Sequence, residues 1–162
     1  DDIKQLFSAL FQLNRRFNLP KMKRIGVDPT PNNARYIYRD GRDTILIGAY
    51  PVDFMFSNYM RNYINYLGLS PTQFHTFYLS QNLEDVGVHE WGHRLHLFAF
   101  KSELDQLYNS KITTDEWSRY KVGYASENER EYITEMFSRY YHGVHIPREL
   151  EDFFRSIDRK MR

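Results

Sequence analysis

His89-Glu90-Trp91-Gly92-His93 decides the reading of this chain. The five residues fit the pattern H-E-x-x-H and lie inside a stretch, Asn82 to about Phe100, that reads as a helix. Residues four apart on an α-helix sit one turn apart on the same face, so the two imidazoles converge on one ion. Zn²⁺ accepts neutral histidine nitrogen, is usually four-coordinate, and in catalytic sites keeps one position for water. Glu90 is turned about 100° from His89. That placement makes it a poor co-ligand but leaves it within reach of a water at the ion. The plain alternative is a pair of surface histidines that bind no metal.

A third ligand decides between these readings. His96 shares the face of His89 and His93, but on a straight helix it lies about 10 Å along the axis from His89, too far to complete one tetrahedron. It reads as a supporting or core histidine. A further histidine at the spacing H-E-x-x-H-x-x-G-x-x-H is absent, because position 96 is His and position 99 is Ala. The ligand must come from another segment, and the best supplier is the helix expected over 126–142. There Glu127, Glu131 and Glu135 recur every fourth residue. Such a stripe can be a solvated face pairing with Arg130 and Arg139. Yet Tyr132, Ile133, Met136, Phe137 and Tyr140 place an apolar flank beside it. Glu131 followed one turn on by Glu135 suits a site in which the second carboxylate accepts the N–H of a ligating histidine.

Outward from these segments the chain reads as α+β, with a small, mostly antiparallel sheet and a helical C-terminal half. Asp1 to Phe17 carries Ile3, Leu6, Phe7, Leu10, Phe11 and Leu13 at helical spacing, with acids first and Arg15-Arg16 last, as the helix dipole favours. Arg15 to Arg24 is a basic run, either a solvated helix end and loop or a docking patch for an acidic partner. Residues 25–33 read as turns. Ala34–Arg39 and Thr44–Tyr50 are β-prone runs around an Asp40–Asp43 hairpin loop. Val52–Leu67 has helical period, and Phe74–Leu79 is a short aromatic strand candidate. Thr114–Lys121 is a short helix. Ser126 with Glu129 forms a capping box for the helix ending at His142-Gly143, and Pro147 opens a last helix to about Lys160. The whole is one domain, an N-terminal helix and sheet over 1–80 and an active-site helix with a helical part over 82–162.

Val88-His89-Glu90-Trp91-Gly92-His93, followed by Tyr124-Ala125-Ser126-Glu127-Asn128-Glu129-Arg130-Glu131-Tyr132-Ile133-Thr134-Glu135-Met136-Phe137, resembles the catalytic domain of anthrax-lethal-factor-like zinc metallopeptidases. These are gluzincins, in which the histidines of H-E-x-x-H and a downstream glutamate bind zinc. The resemblance spans Val88 to Phe137. It implies a zincin-like metallopeptidase fold and one Zn²⁺ held by His89, His93 and Glu131. It further implies Glu90 as catalytic base, Tyr124 as oxyanion stabiliser and Glu135 as a supporting carboxylate. The family usually has Gly after that tyrosine, where this chain has Ala125. By resemblance alone, an exported bacterial protein is the expected source.

The implied chemistry is peptide-bond hydrolysis by a zinc-dependent endopeptidase. Its partner would be a protein or peptide substrate bound extended along a sheet edge, with Phe74–Leu79 or Thr44–Tyr50 the candidate edge. Composition is compatible with this and excludes several other classes. The 162 residues carry 22 Lys+Arg and 21 Asp+Glu, a net charge of +1, which gives no global reason to expect nucleic acid or an anionic membrane. The absence of cysteine removes disulfides, thiolate metal sites and a cysteine nucleophile. No apolar run approaches the ~20 residues that span a bilayer. The chain starts Asp1-Asp2 with no visible signal peptide, which reads as a mature protein or an excised domain. The 17% of aromatic residues suits either a tyrosine-rich core or a peptide-binding surface. The rival class is therefore a non-catalytic zinc-site or protein-interaction module, an adaptor or a viral structural domain. A nucleic-acid binder acting through 15–24 is opposed by the balanced charge.

Overall fold

Leu6, Leu10 and Leu13 recur every three or four residues, and this stripe defines helix α1, Asp2–Arg16. The computed structural model describes residues 2–22, 24–28, 35–39, 42–48 and 83–161. The three leucines are buried together with Ala9 and Phe17, whereas Phe7 and Phe11 are half-exposed. Each stands one position past the stripe, and at about 100° per residue that carries it beyond the packed face.

Three strands follow: β1 (Arg24–Asp28), β2 (Arg35–Arg39) and β3 (Arg42–Gly48), in the order β1-β3-β2. β2 and β3 form the expected antiparallel hairpin, Arg39 opposite Arg42 and Tyr36 opposite Ile45. The sheet differs from the sequence expectation at three points. Residues 24–28 are a strand, not part of a turn. Ile25 and Val27 make it β-prone, and the Pro and Asn residues of that segment lie only after Asp28. β1 pairs parallel with β3, so the described sheet is mixed rather than mostly antiparallel. The cause is the central position of β3, whose Ile45-Leu46-Ile47 run is the most apolar of the three. Its hairpin partner β2 points the opposite way, and β1 points the same way. For the same reason Thr44–Tyr50 is not an edge: its described part, to Gly48, is covered on both sides. The expected helix Val52–Leu67 and strand Phe74–Leu79 lie outside the described residues.

The C-terminal half is helical. Helix α2 (Leu83–Arg94) carries the H-E-x-x-H segment and passes into a π-helical turn, Leu95–Ala99, closed by Phe100 N–H donating to Leu95 C=O at 3.1 Å. α3 (Lys101–Lys111) occupies a stretch for which the sequence predicted no element, because Leu104 is its one buried residue and its apolar period is faint. α4 (Asp115–Ser118) is the core of the expected 114–121 helix. A 3₁₀ turn at Gly123–Ser126 precedes α5 (Glu129–Tyr141), and α6 (Arg148–Ile157) follows Pro147. The cap of α5 is Asn128, whose side chain accepts from Glu131 N–H at 3.0 Å. The expected Ser126–Glu129 box is not formed, because the Ser126 hydroxyl donates instead to Gly123 C=O within the 3₁₀ turn. Gly143, at φ +71°, terminates α5 in the left-handed region that favours glycine. Among the described residues no helix is long and apolar enough to cross a membrane.

α2 is the hub of this arrangement, packed between α1, α5 and the sheet. Trp91 is fully buried, with the Phe17 ring centroid at 5.5 Å and that of Phe137 at 5.3 Å, and its indole N–H donates to Asn14 at 2.9 Å. Arg94, also fully buried, donates to the Asp43 carboxylate on β3, to Asn14 Oδ1 at 3.0 Å and to Pro20 C=O at 2.5 Å. A buried guanidinium is tolerated only when its donors are matched in this way. The network ties α2 to the sheet and to the end of α1.

Candidate metal centre

His89 and His93 project from one face of α2, their ring centroids 5.0 Å apart and nearly perpendicular. Opposite them, Glu131 projects from the first turn of α5. His89 Nε2 lies 3.1 Å from Glu131 Oε2, and His93 Nε2 lies 3.2 Å from Glu131 Oε1. The structure thus brings together the three residues that the sequence put forward as ligands, with one donor atom of each within 4.8 Å of the others. Tetrahedral zinc with bonds of ~2.0–2.1 Å has neighbouring ligand atoms about 3.3 Å apart, close to these two contacts. Two imidazole nitrogens and a carboxylate oxygen are also the donor chemistry that zinc takes. The residues present therefore fit a zinc ion.

The backs of both imidazoles are held by α5. His89 Nδ1 is 2.8 Å from Glu135 Oε1, an ion-pair contact bent away from a straight hydrogen bond, and Glu135 is buried. His93 Nδ1 is 3.0 Å from Thr134 Oγ1. An Nδ1–H donating to that hydroxyl oxygen leaves Nε2 bare and aimed at Glu131. The sequence reading found Glu135 but missed Thr134. Thr134 is adjacent to Glu135 and three residues from Glu131, on the same side of α5, but nothing in the sequence alone marks it as a partner of His93.

Electrostatics follow from this packing. Burial opposes a charge on His89, but the hydrogen bond to Glu131 and the close Glu135 carboxylate outweigh it and raise the pKa well above the ordinary imidazole value. Burial works equally against ionised Glu131, yet the two imidazoles hold its pKa far below the usual carboxylate range. A proton and a divalent cation compete for the same imidazole lone pairs in such a site. Glu90 is buried beside the pair. Burial raises its pKa, partly opposed by His89, by His93 and by a hydrogen bond from the Tyr36 backbone N–H of β2. Its carboxylate is not one of the three clustered ligand groups, as its position on the helix predicted. Tyr124 lies in the 3₁₀ turn before α5, half-buried, its ring centroid 6.4 Å from that of His89.

His96 does not join the group. It is buried and hydrogen-bonds through Nε2 to Asp105 Oδ1 of α3 at 2.7 Å, which matches the core-histidine alternative of the sequence reading rather than the supporting one. His96, Asp105 and Glu129 also bring ligand-type atoms within 4.8 Å. There, however, the Lys101 ammonium and His96 already occupy the oxygens of Asp105. Burial would raise the pKa of Asp105, but those two partners lower it to about 2. The Asp105 carboxylate is accordingly matched within the protein, while His96 Nδ1 and one Glu129 oxygen are buried without a hydrogen-bond partner. Comparison of the chain with protein-family models, curated proteins and solved structures finds no match.

Proposed function

We propose that this chain is a zinc-dependent endopeptidase of the lethal-factor-like gluzincin type, with a zincin-like fold and one Zn²⁺ held by His89, His93 and Glu131. The observation that carries the reading is the meeting of both Nε2 atoms with the two oxygens of one carboxylate from a separate helix. Zinc bound there supplies Lewis acidity, polarising a carbonyl and making a water more acidic. Glu90 takes the proton of the attacking water and passes it to the departing amine nitrogen, so that the C–N bond breaks with neutral products. Its raised pKa suits both halves of that task, since a base poised nearer neutrality accepts and returns a proton more readily. Tyr124 donates its phenolic hydrogen to the developing oxyanion. Glu135 and Thr134 orient the imidazoles. An extended substrate fits along β2, an edge strand among the described residues, whose Tyr36 N–H already points at Glu90.

The test pairs metal analysis of the purified chain with cleavage of a proteome-derived peptide library. One equivalent of zinc and defined cleavage sites are expected. Glu90→Gln should keep the zinc and lower turnover about 10²–10⁴-fold, the range for a lost general base. Turnover unchanged in Glu90→Gln removes the mechanism. Bound zinc with no peptide cleaved favours a non-catalytic module.

A further inference from the structure

The face of the sheet turned away from α2 carries a second feature, outside the metal centre. Strand register puts Arg24, Arg35, Ile37, Arg39, Arg42, Thr44 and Leu46 on that face. At one end of it, Arg39 of β2 stands directly opposite Arg42 of β3. One step along, Ile37 stands opposite Thr44, with Arg24 of β1 on the other side of Thr44. Arg24, Arg39 and Arg42 are exposed, and none has an acidic partner among the described residues. Ile37, Arg39, Arg42 and Thr44 line a cavity of about 440 Å³.

Two like charges directly opposite one another in an antiparallel pair are destabilising, and a third guanidinium nearby adds to the cost. An anion between them reverses the sign. The net charge of the chain is only +1, so the concentration of guanidinium groups is local to this face. Three guanidiniums exceed what one carboxylate neutralises. A phosphate monoester carries about −1.5 to −2 charges at pH 7 and three acceptor oxygens, which guanidinium forks engage in pairs. The cavity is larger than a phosphate group, within the ~300–1,000 Å³ of small-molecule sites, and Ile37 and Thr44 line it beside the two arginines.

We propose that this face binds a small organic phosphate monoester, its phosphate between Arg39 and Arg42 with Arg24 alongside, and its apolar body on Ile37 and Thr44. The basic run noted in the sequence, Arg15–Arg24, thereby delivers its last member to an anion site. This reading does not depend on the peptidase proposal, because the site lies across the sheet from α2.

Calorimetric titration of the full chain with phenyl phosphate tests it. One equivalent should bind, and affinity should fall as salt is added. Arg39→Gln and Arg42→Gln should each weaken binding about tenfold or more, as loss of a charge-assisted hydrogen bond does. Both residues are exposed, so the variants should melt at or above the wild-type temperature. Arg24→Gln, on a different strand, should weaken binding by a smaller step. Benzoate should bind at least tenfold more weakly. The proposal is overturned by the absence of saturable binding at millimolar phenyl phosphate, or by benzoate binding as tightly. Binding that survives the Arg39→Gln/Arg42→Gln double change overturns it as well. So does binding to anionic phospholipid vesicles or oligonucleotides without any to phenyl phosphate.

Discussion

Gly92→Ala tests how the proposed metal centre is held together. At Gly92, within the motif, α2 comes into close contact with α5. A Cβ built there would sit 3.0 Å from Thr134 Cγ2, 3.2 Å from Phe137 Cδ1 and 3.4 Å from Thr134 Cα. Carbon atoms rest about 3.5–4.0 Å apart, so the helices must open by about 0.5 Å to admit the methyl. Neither neighbour yields easily. Thr134 and Phe137 are fully buried, and the Phe137 ring is packed against Phe17, Trp91 and Phe154. Overpacking of this kind costs about 1–3 kcal/mol, while replacing a mid-helix glycine by alanine returns about 1 kcal/mol. The net change in stability is therefore small, a loss of about 0–2 kcal/mol. The change at the site is not small. Glu131, Thr134 and Glu135 all ride on α5, and their partners His89 and His93 ride on α2. Binding constellations must be held within about 0.5 Å of the productive geometry, and this opening consumes that whole margin, so it should weaken zinc about tenfold. The assay is competition with a chromophoric chelator, run beside urea unfolding of both proteins. A Gly92→Ala chain that gains about 1 kcal/mol and keeps full zinc affinity would show that the methyl fits and that close helix approach does not set the site.

Other changes probe separate parts of the structure. Glu135→Gln should leave the fold intact and lower zinc affinity about 10–100-fold, read by the same competition titration; unchanged affinity would remove Glu135 from the supporting role. Arg94→Met removes the guanidinium from the buried Asp43 carboxylate and should cost about 3–5 kcal/mol in urea unfolding, most of it recovered by adding Asp43→Leu; a loss within about 0.5 kcal/mol would show the network to be idle. Asp158 gives a pH dependence. Burial would raise its pKa, but Arg16, the Tyr140 hydroxyl and the Lys160 N–H outweigh burial and lower it. A lowered folded-state pKa means that the contribution is present above the unfolded value of ~3.9 and is lost as pH falls through the folded one. Unfolding free energy should thus fall more steeply below about pH 4 in the wild type than in Asp158→Asn, and equal acid slopes would contradict this.

What the sequence made legible was local. Helical period gave α1, α5 and α6, the β-prone runs gave β2 and β3, and H-E-x-x-H gave the two imidazoles. The failures share a physical cause. β1 was hidden because its pairing is with β3, a strand some twenty positions later, and five residues with one glycine give no period of their own. α3 was hidden because it buries only Leu104 and is shaped by its neighbours. The cap of α5 was misplaced by two residues because Ser126 and Asn128 are equally good caps in isolation, and the 3₁₀ turn had already claimed the Ser126 hydroxyl. Thr134 was overlooked because a threonine in a helix announces nothing until the facing helix is known.

Positions 90 to 94 show why this stretch of α2 carries more than two histidines. At about 100° per residue, successive side chains of α2 address different neighbours. Glu90 meets the Tyr36 N–H of β2, Trp91 meets Asn14 and Phe17 of the α1 end, Gly92 meets Thr134 and Phe137 of α5, and Arg94 meets Asp43 of β3. His93, between them, meets Glu131 and Thr134. Each contact fixes the rotation of α2 about its own axis, and that rotation sets where the two Nε2 atoms point. A histidine pair on an exposed helix has no such constraint and can turn its imidazoles to solvent. Here the unrelated side chains of the motif are the reason the imidazoles face a carboxylate. Substitutions at Trp91 or Arg94, which touch no ligand atom, should therefore lower metal affinity in proportion to the freedom they return to the helix.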